Sequence, residues 1–177
     1  MFGYDTGVAY VSNVTIRNSG RNAAGGIHVA GGGTLYAWDC DVVTTGGSSA
    51  AIRSDRGSGT MVIDGGSYIT ENGTGAVYCT ADISIHDAYL YTGASEAVAI
   101  EGKNTVRLFD CDLTGNMQPI QLNDNRVWNI IVYQSMSGDA SIGTSEYDMI
   151  GGSLTCNAGP VIPVSYTHLT LPTMAVV

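Results

Sequence analysis

The chain has 177 residues, enough for one domain with a core of its own. Gly is the most abundant residue at 24, only 13% of residues are charged, and 44% are apolar, which excludes a disordered composition. The formal net charge of −9 repels nucleic acid and anionic lipid, so neither is expected as a partner. No stretch is long and apolar enough to insert in a membrane, and Met1 is not followed by a signal-peptide pattern. Val, Ile, Thr, Tyr, Ser and Gly prevail over the helix formers, which favours strands and turns.

Seven short segments follow one another along the chain with a common pattern. They are VTIRNSG from Val14, LYAWDCD from Leu35, MVIDGGS from Met61, ISIHDAY from Ile83, VRLFDCD from Val106, IIVYQSM from Ile130 and YDMIGGS from Tyr147. Their first and third residues are apolar, with the alternation of a strand that buries one face. Successive copies are 21 to 26 residues apart except the last, which is 17, so a shortened final coil is expected. The sixth position holds only small residues: Ser19, Cys40, Gly66, Ala88, Cys111, Ser135 and Gly152. That column predicts a tight inward corner. A second set alternates with the first: GIHVA from Gly26, AIRSD from Ala51, AVYCT from Ala76, AVAIE from Ala97 and PIQLN from Pro119. Gly- and Ser-rich turns separate the strands.

Two or more short strands per repeat, with variable turns, describe a β-solenoid in which equivalent residues stack about 4.8 Å apart. A β-sandwich would also give short strands, but not small residues in register. The predicted fold is all-β: a single-stranded right-handed parallel β-helix of about six to seven coils of 21–26 residues.

The V-x-I-x-(N/D)-small strand, followed a dozen residues later by (A/G)-I-x-V, resembles the pectin-lyase-like parallel β-helix superfamily. Within it, the chain is similar to adhesin-like β-helix proteins of bacterial cell surfaces. The resemblance covers roughly residues 10–162. It implies a secreted or cell-surface location and a polysaccharide or surface glycan as partner. Lyases and hydrolases share the fold, so function has to be argued from sites.

Two outward faces carry candidate residues. On the second set, His28, Arg53, Tyr78, Ala99 and Gln121 form one ladder, beside Ala30, Asp55, Thr80, Glu101 and Asn123. A lyase would use Arg53 as base, but Asp55 and Glu101 alone do not make an oxygen cage for calcium. The same two carboxylates fit a hydrolase pair poorly, and the family's Asp-Asp pair and Gly-His-Gly are absent. The plainer reading of Arg53, Asp55 and Glu101 is a solvated face with weak ion pairing between neighbouring coils. On the first set, the outward ladder is Arg17, Trp38, Asp64, His86, Phe109, Tyr133 and Ile150, with Tyr36 beside Trp38. Aromatic rings among polar groups suit a sugar polymer, unless turns or another domain cover them. A non-catalytic binding module or rigid stalk is the leading expectation, a polysaccharide lyase or glycoside hydrolase the alternative, and self-association through strand edges a third.

No metal or organic cofactor is required by these residues. His28 and His86 have no partner at ligand spacing. The Asp-Cys-Asp corners, Asp39/Asp41 and Asp110/Asp112, would hold calcium only with help from neighbouring turns; otherwise they bond turn backbone. Cys40 and Cys111 share a column three coils apart, on the order of 14 Å, too far for a disulfide. Cys79 lies in a different column, and all three read as small core residues.

Val164 to Thr173 reads VSYTHLTLPT, which back-translates to the transposase adapter used in preparing shotgun sequencing libraries. Residues 1–162 are therefore expected to be a β-helix fragment with its C-terminal coils missing. Residues 163–177 are expected to be non-native read-through without structure.

Overall fold

The structure is a computed structural model that describes residues 2–4, 7–21, 25–55, 59–101, 104–117, 120–121, 127–128, 130–134 and 146–160. Residues 161–177, with the adapter-like stretch, lie outside them, as do Asn123 and Ser135.

The chain runs through three strands at each level of a stack. The first level is β1 (Phe2–Tyr4), β2 (Val8–Ser12) and β3 (Thr15–Asn18); the next is β4 (Ile27–Ala30), β5 (Thr34–Trp38) and β6 (Asp41–Thr44). Then follow β7 (Ile52–Asp55), β8 (Thr60–Asp64) and β9 (Ser67–Thr70), and β10 (Val77–Cys79), β11 (Asp82–His86) and β12 (Tyr89–Thr92). The fifth level is β13 (Val98–Glu101), β14 (Thr105–Phe109) and β15 (Asp112–Gly115). A two-stranded insertion, β16 (Ile120–Gln121) and β17 (Val127–Trp128), precedes β18 (Ile131–Gln134), β19 (Glu146–Ile150) and β20 (Ser153–Cys156). Three six-stranded sheets result: sheet A is β1-β4-β7-β10-β13-β18, sheet B is β2-β5-β8-β11-β14-β19, and sheet C is β3-β6-β9-β12-β15-β20. Every pairing within them is parallel, so the molecule is an all-β parallel solenoid.

Register follows one inward column of sheet B: Val11, Ala37, Ile63, Ile85, Leu108 and Met149. The steps are 26, 26, 22, 23 and 41 residues. About four regular turns are thus followed by one long turn, in place of six or seven equal coils with a short last one. The hairpin β16–β17 accounts for part of the extra length. It pairs antiparallel, so Ile120 and Gln121 do not extend sheet A. That place is taken by β18, where Ile131 pairs with Val98.

The core lies between the sheets. Leu35, Met61, Ile83 and Val106 stack in sheet B, Ile27, Ile52, Val77 and Val98 in sheet A, and Val42, Tyr68, Leu90 and Leu113 in sheet C, all fully or nearly fully buried. Each such side chain contributes about 1.5–3 kcal/mol on removal from water. Sheet C also buries a Thr column. Thr44 Oγ1 donates to Thr70 Oγ1 at 3.1 Å, and Thr70 Oγ1 accepts from the Ala51 N–H at 3.0 Å.

The corner between sheets B and C explains the small-residue column. Asn13, Asp39, Gly65, Asp87, Asp110 and Gly151 occupy equivalent positions, and each has positive φ, between 47° and 73°. Asn, Asp and Gly are the residue types that tolerate this left-handed conformation. The next residues, Cys40, Ala88 and Cys111, point into the corner and are buried. The thiols of Cys40 and Cys111 donate to the carbonyls of Trp38 and Phe109, both at 3.3 Å. The first repeat is therefore AYVSNVT from Ala9, which pairs with Leu35 and lies five residues upstream of the copy expected from Val14, and Ser19 does not belong to the corner. Val14 itself stands one residue after Asn13, and Thr15–Asn18 belongs to sheet C.

Candidate functional site

Sheet B presents an open outward face, built by alternation along each strand. One column runs Tyr10, Tyr36, Val62, Ser84, Arg107 and Asp148, and the adjacent column runs Ser12, Trp38, Asp64, His86, Phe109 and Ile150. Tyr10, Tyr36 and Trp38 form a cluster of near-parallel rings. Their centroids are 5.3 Å (Tyr10–Tyr36), 6.1 Å (Tyr36–Trp38) and 6.2 Å (Tyr10–Trp38) apart, with interplanar angles of 10°, 10° and 2°. Tyr10 is 68% exposed and Trp38 36%. Separations in this range are favourable for aromatic pairs, and the solvent-facing ring surfaces remain available.

Further along the same column, His86 stacks on Phe109 at 4.4 Å and 16°. The Ser84 hydroxyl and His86 Nε2 are 3.0 Å apart, which fixes the imidazole against the sheet. Asp64 stands between the two aromatic groups, paired in register with Trp38 on one side and His86 on the other. It is exposed. Around the corner, Tyr89 and Tyr91 of sheet C stack at 6.2 Å.

The structure places Tyr36, Trp38, Asp64, His86 and Phe109 on one face of sheet B, and changes the ends of the ladder. Arg17 lies in sheet C, paired with Val43. Tyr133 lies in sheet A, paired with Ile100, and its side chain is outside the described residues. The misplacement followed from the shared apolar pattern of IIVY and the sheet B strands; the inserted hairpin shifts which sheet that strand joins. Tyr10 was missed for the same reason at the other end. The signal was present: Asn13 aligns with the Asp and Gly residues of the left-handed corner, and that alignment puts Tyr10 above Tyr36. Tyr89 and Tyr91 belong to a third strand, YLYT, whose inward Leu90 and Thr92 give the period-2 pattern of sheet C.

Sheet A is less accessible. Ala30, Thr80 and Ala99 are buried, and His28, Arg53 and Tyr78 are half-buried. This differs from the solvated ladder expected there. The Arg53 guanidinium lies over the Tyr78 ring, 4.7 Å from its centroid, a cation–π contact that shields it from water. Asp55 and Glu101 lie on β7 and β13, separated by β10, and their side chains fall outside the described residues.

The Asp-Cys-Asp corners use their carboxylates differently from either expectation. Asp41 accepts from the Ser67 hydroxyl at 2.7 Å, and Asp112 accepts from the Ser153 hydroxyl at 2.6 Å. Each is a bond to the next level of the stack. Among the described residues, no three His, Cys, Asp or Glu side chains cluster as a metal site. The four cysteines are thiols. Burial pushes the Cys79 thiol up to about 12, and burial also raises Cys111.

No family model, curated protein or solved structure matches the chain.

Proposed function

We propose that the chain is a non-catalytic, adhesin-like extracellular module of pectin-lyase-like β-helix type, whose sheet B face binds an extended carbohydrate. The observation that carries this reading is the cluster of Tyr10, Tyr36 and Trp38, three near-parallel rings on an open, flat sheet. Ring faces of this kind stack on the C–H surfaces of pyranoses, while Asp64 and Ser84 supply hydrogen-bonding groups for hydroxyls. A stacked sheet repeats the surface every ~4.8 Å, which suits a polymer better than a small ligand. Arg53, by contrast, is engaged with Tyr78 on the less accessible sheet.

Glycan-array screening followed by calorimetry tests the reading. Trp38→Ala is expected to weaken binding roughly thirtyfold, about 2 kcal/mol, as for a central aromatic contact. Absence of binding to any glycan would remove the carbohydrate role and leave a rigid stalk.

A further inference from the structure

Charge on the same face narrows the ligand class. Sheet B and its corner carry Asp39, Asp64, Asp82, Asp87 and Asp110, all exposed. Against them stands a single arginine, Arg107, whose guanidinium is 3.9 Å from Asp148. Among the described residues Asp64 makes no ion pair. It sits in register between Trp38 and the His86–Phe109 stack, at the middle of the aromatic column. From Trp38 to His86 is two levels, ~9.6 Å along the stack. An ammonium group placed there meets a carboxylate and the electron-rich faces of aromatic rings together, and both attract a cation. A uronate placed there meets the like charge of Asp64, and the arginine of this face among the described residues, Arg107, is already paired with Asp148.

Resting on the proposed glycan-binding face, we infer that this face selects amino-sugar polymers bearing free ammonium groups, with Asp64 as the specificity-determining residue. Neutral polymers stack on the same rings without the charge contribution, and uronate polymers are repelled.

Calorimetry at fixed ionic strength with four hexasaccharides tests this: β-1,4-linked glucosamine, its fully N-acetylated form, β-1,4-linked glucose and galacturonate. A lysine hexamer controls for charge alone. Asp64→Asn keeps the shape of an exposed side chain, so folding is preserved. The glucosamine hexamer is expected to bind roughly tenfold more tightly than its acetylated form, and Asp64→Asn to remove that difference. Trp38→Ala is expected to weaken all sugars that bind. Equal affinity for the free and acetylated hexamers, indifferent to Asp64→Asn, would overturn the charge selection and leave the glycan face intact. Lysine hexamer binding as tightly as the glucosamine hexamer, with Trp38→Ala without effect on either, would also overturn it. No binding of any sugar would remove the underlying reading itself.

Discussion

Replacing Gly66 with alanine puts a methyl group where the level below leaves no space for one. A Cβ at this position would lie 2.2 Å from the Cys40 carbonyl oxygen and 2.7 Å from the Cys40 nitrogen. Both are backbone atoms, so they cannot swing aside as a side chain would. The residue also has φ of +90°, which costs an L side chain about 1–2 kcal/mol. Moving the Cys40 carbonyl disturbs the 3.0 Å bond it accepts from the Ser67 N–H, worth about 1 kcal/mol. The expected loss is about 3 kcal/mol, or roughly 6–12 °C in Tm for a chain of this length. Gly47→Ala is the paired control. Nothing lies within 4 Å of a Cβ there, so alanine should be neutral or stabilising by up to ~1 kcal/mol through the unfolded chain. Urea unfolding followed by circular dichroism measures both variants. Gly66→Ala as stable as the wild type, or Gly47→Ala the more damaging of the two, would refute the packing argument for the corner.

Other outcomes follow from the core. Thr70→Val preserves volume but removes the acceptor of the buried Ala51 N–H and the partner of Thr44; denaturant titration should show a loss of about 1–3 kcal/mol, and a change below ~0.5 kcal/mol would contradict the role of the Thr column. Stability should also fall with alkali. In the unfolded chain Cys79 ionises near its ordinary value of 9.0, whereas in the fold burial holds it protonated to about 12. The unfolded state therefore binds fewer protons above pH 9, and the stabilisation present below that pH is lost between about 9 and 12. Buried Tyr68 and Cys111 are raised too and act in the same direction. Cys79→Ala should flatten the decline; an unchanged slope would contradict the assignment.

The solenoid was legible because its inward columns repeat in the sequence. Leu35, Met61, Ile83 and Val106 can be aligned by eye, and their strands pair in that register. The third sheet was less visible, because DVVT, SYIT and YLYT each follow a sheet B strand after only two residues and read as its continuation. The left-handed turn at Asp39, Gly65 and Asp87 is what separates them. Placement failed at both ends for a common cause: apolar alternation identifies a strand but not the sheet it joins. Ile131–Gln134 has the pattern of either sheet, and only the inserted hairpin decides. The centre of the aromatic column, Trp38 to Phe109, was readable because turn lengths there vary little. The ring cluster was not, since Tyr10 depends on the corner at Asn13.

Backbone-amide NMR titration with a panel of hexasaccharides tests the proposed glycan face most directly, since it reports which surface responds. The account predicts shifts concentrated at Tyr36, Trp38, Asp64, His86 and Phe109, and requiring roughly thirtyfold more ligand in Trp38→Ala. Shifts centred instead on Arg53 and Tyr78 of sheet A, or none with any glycan, would contradict it.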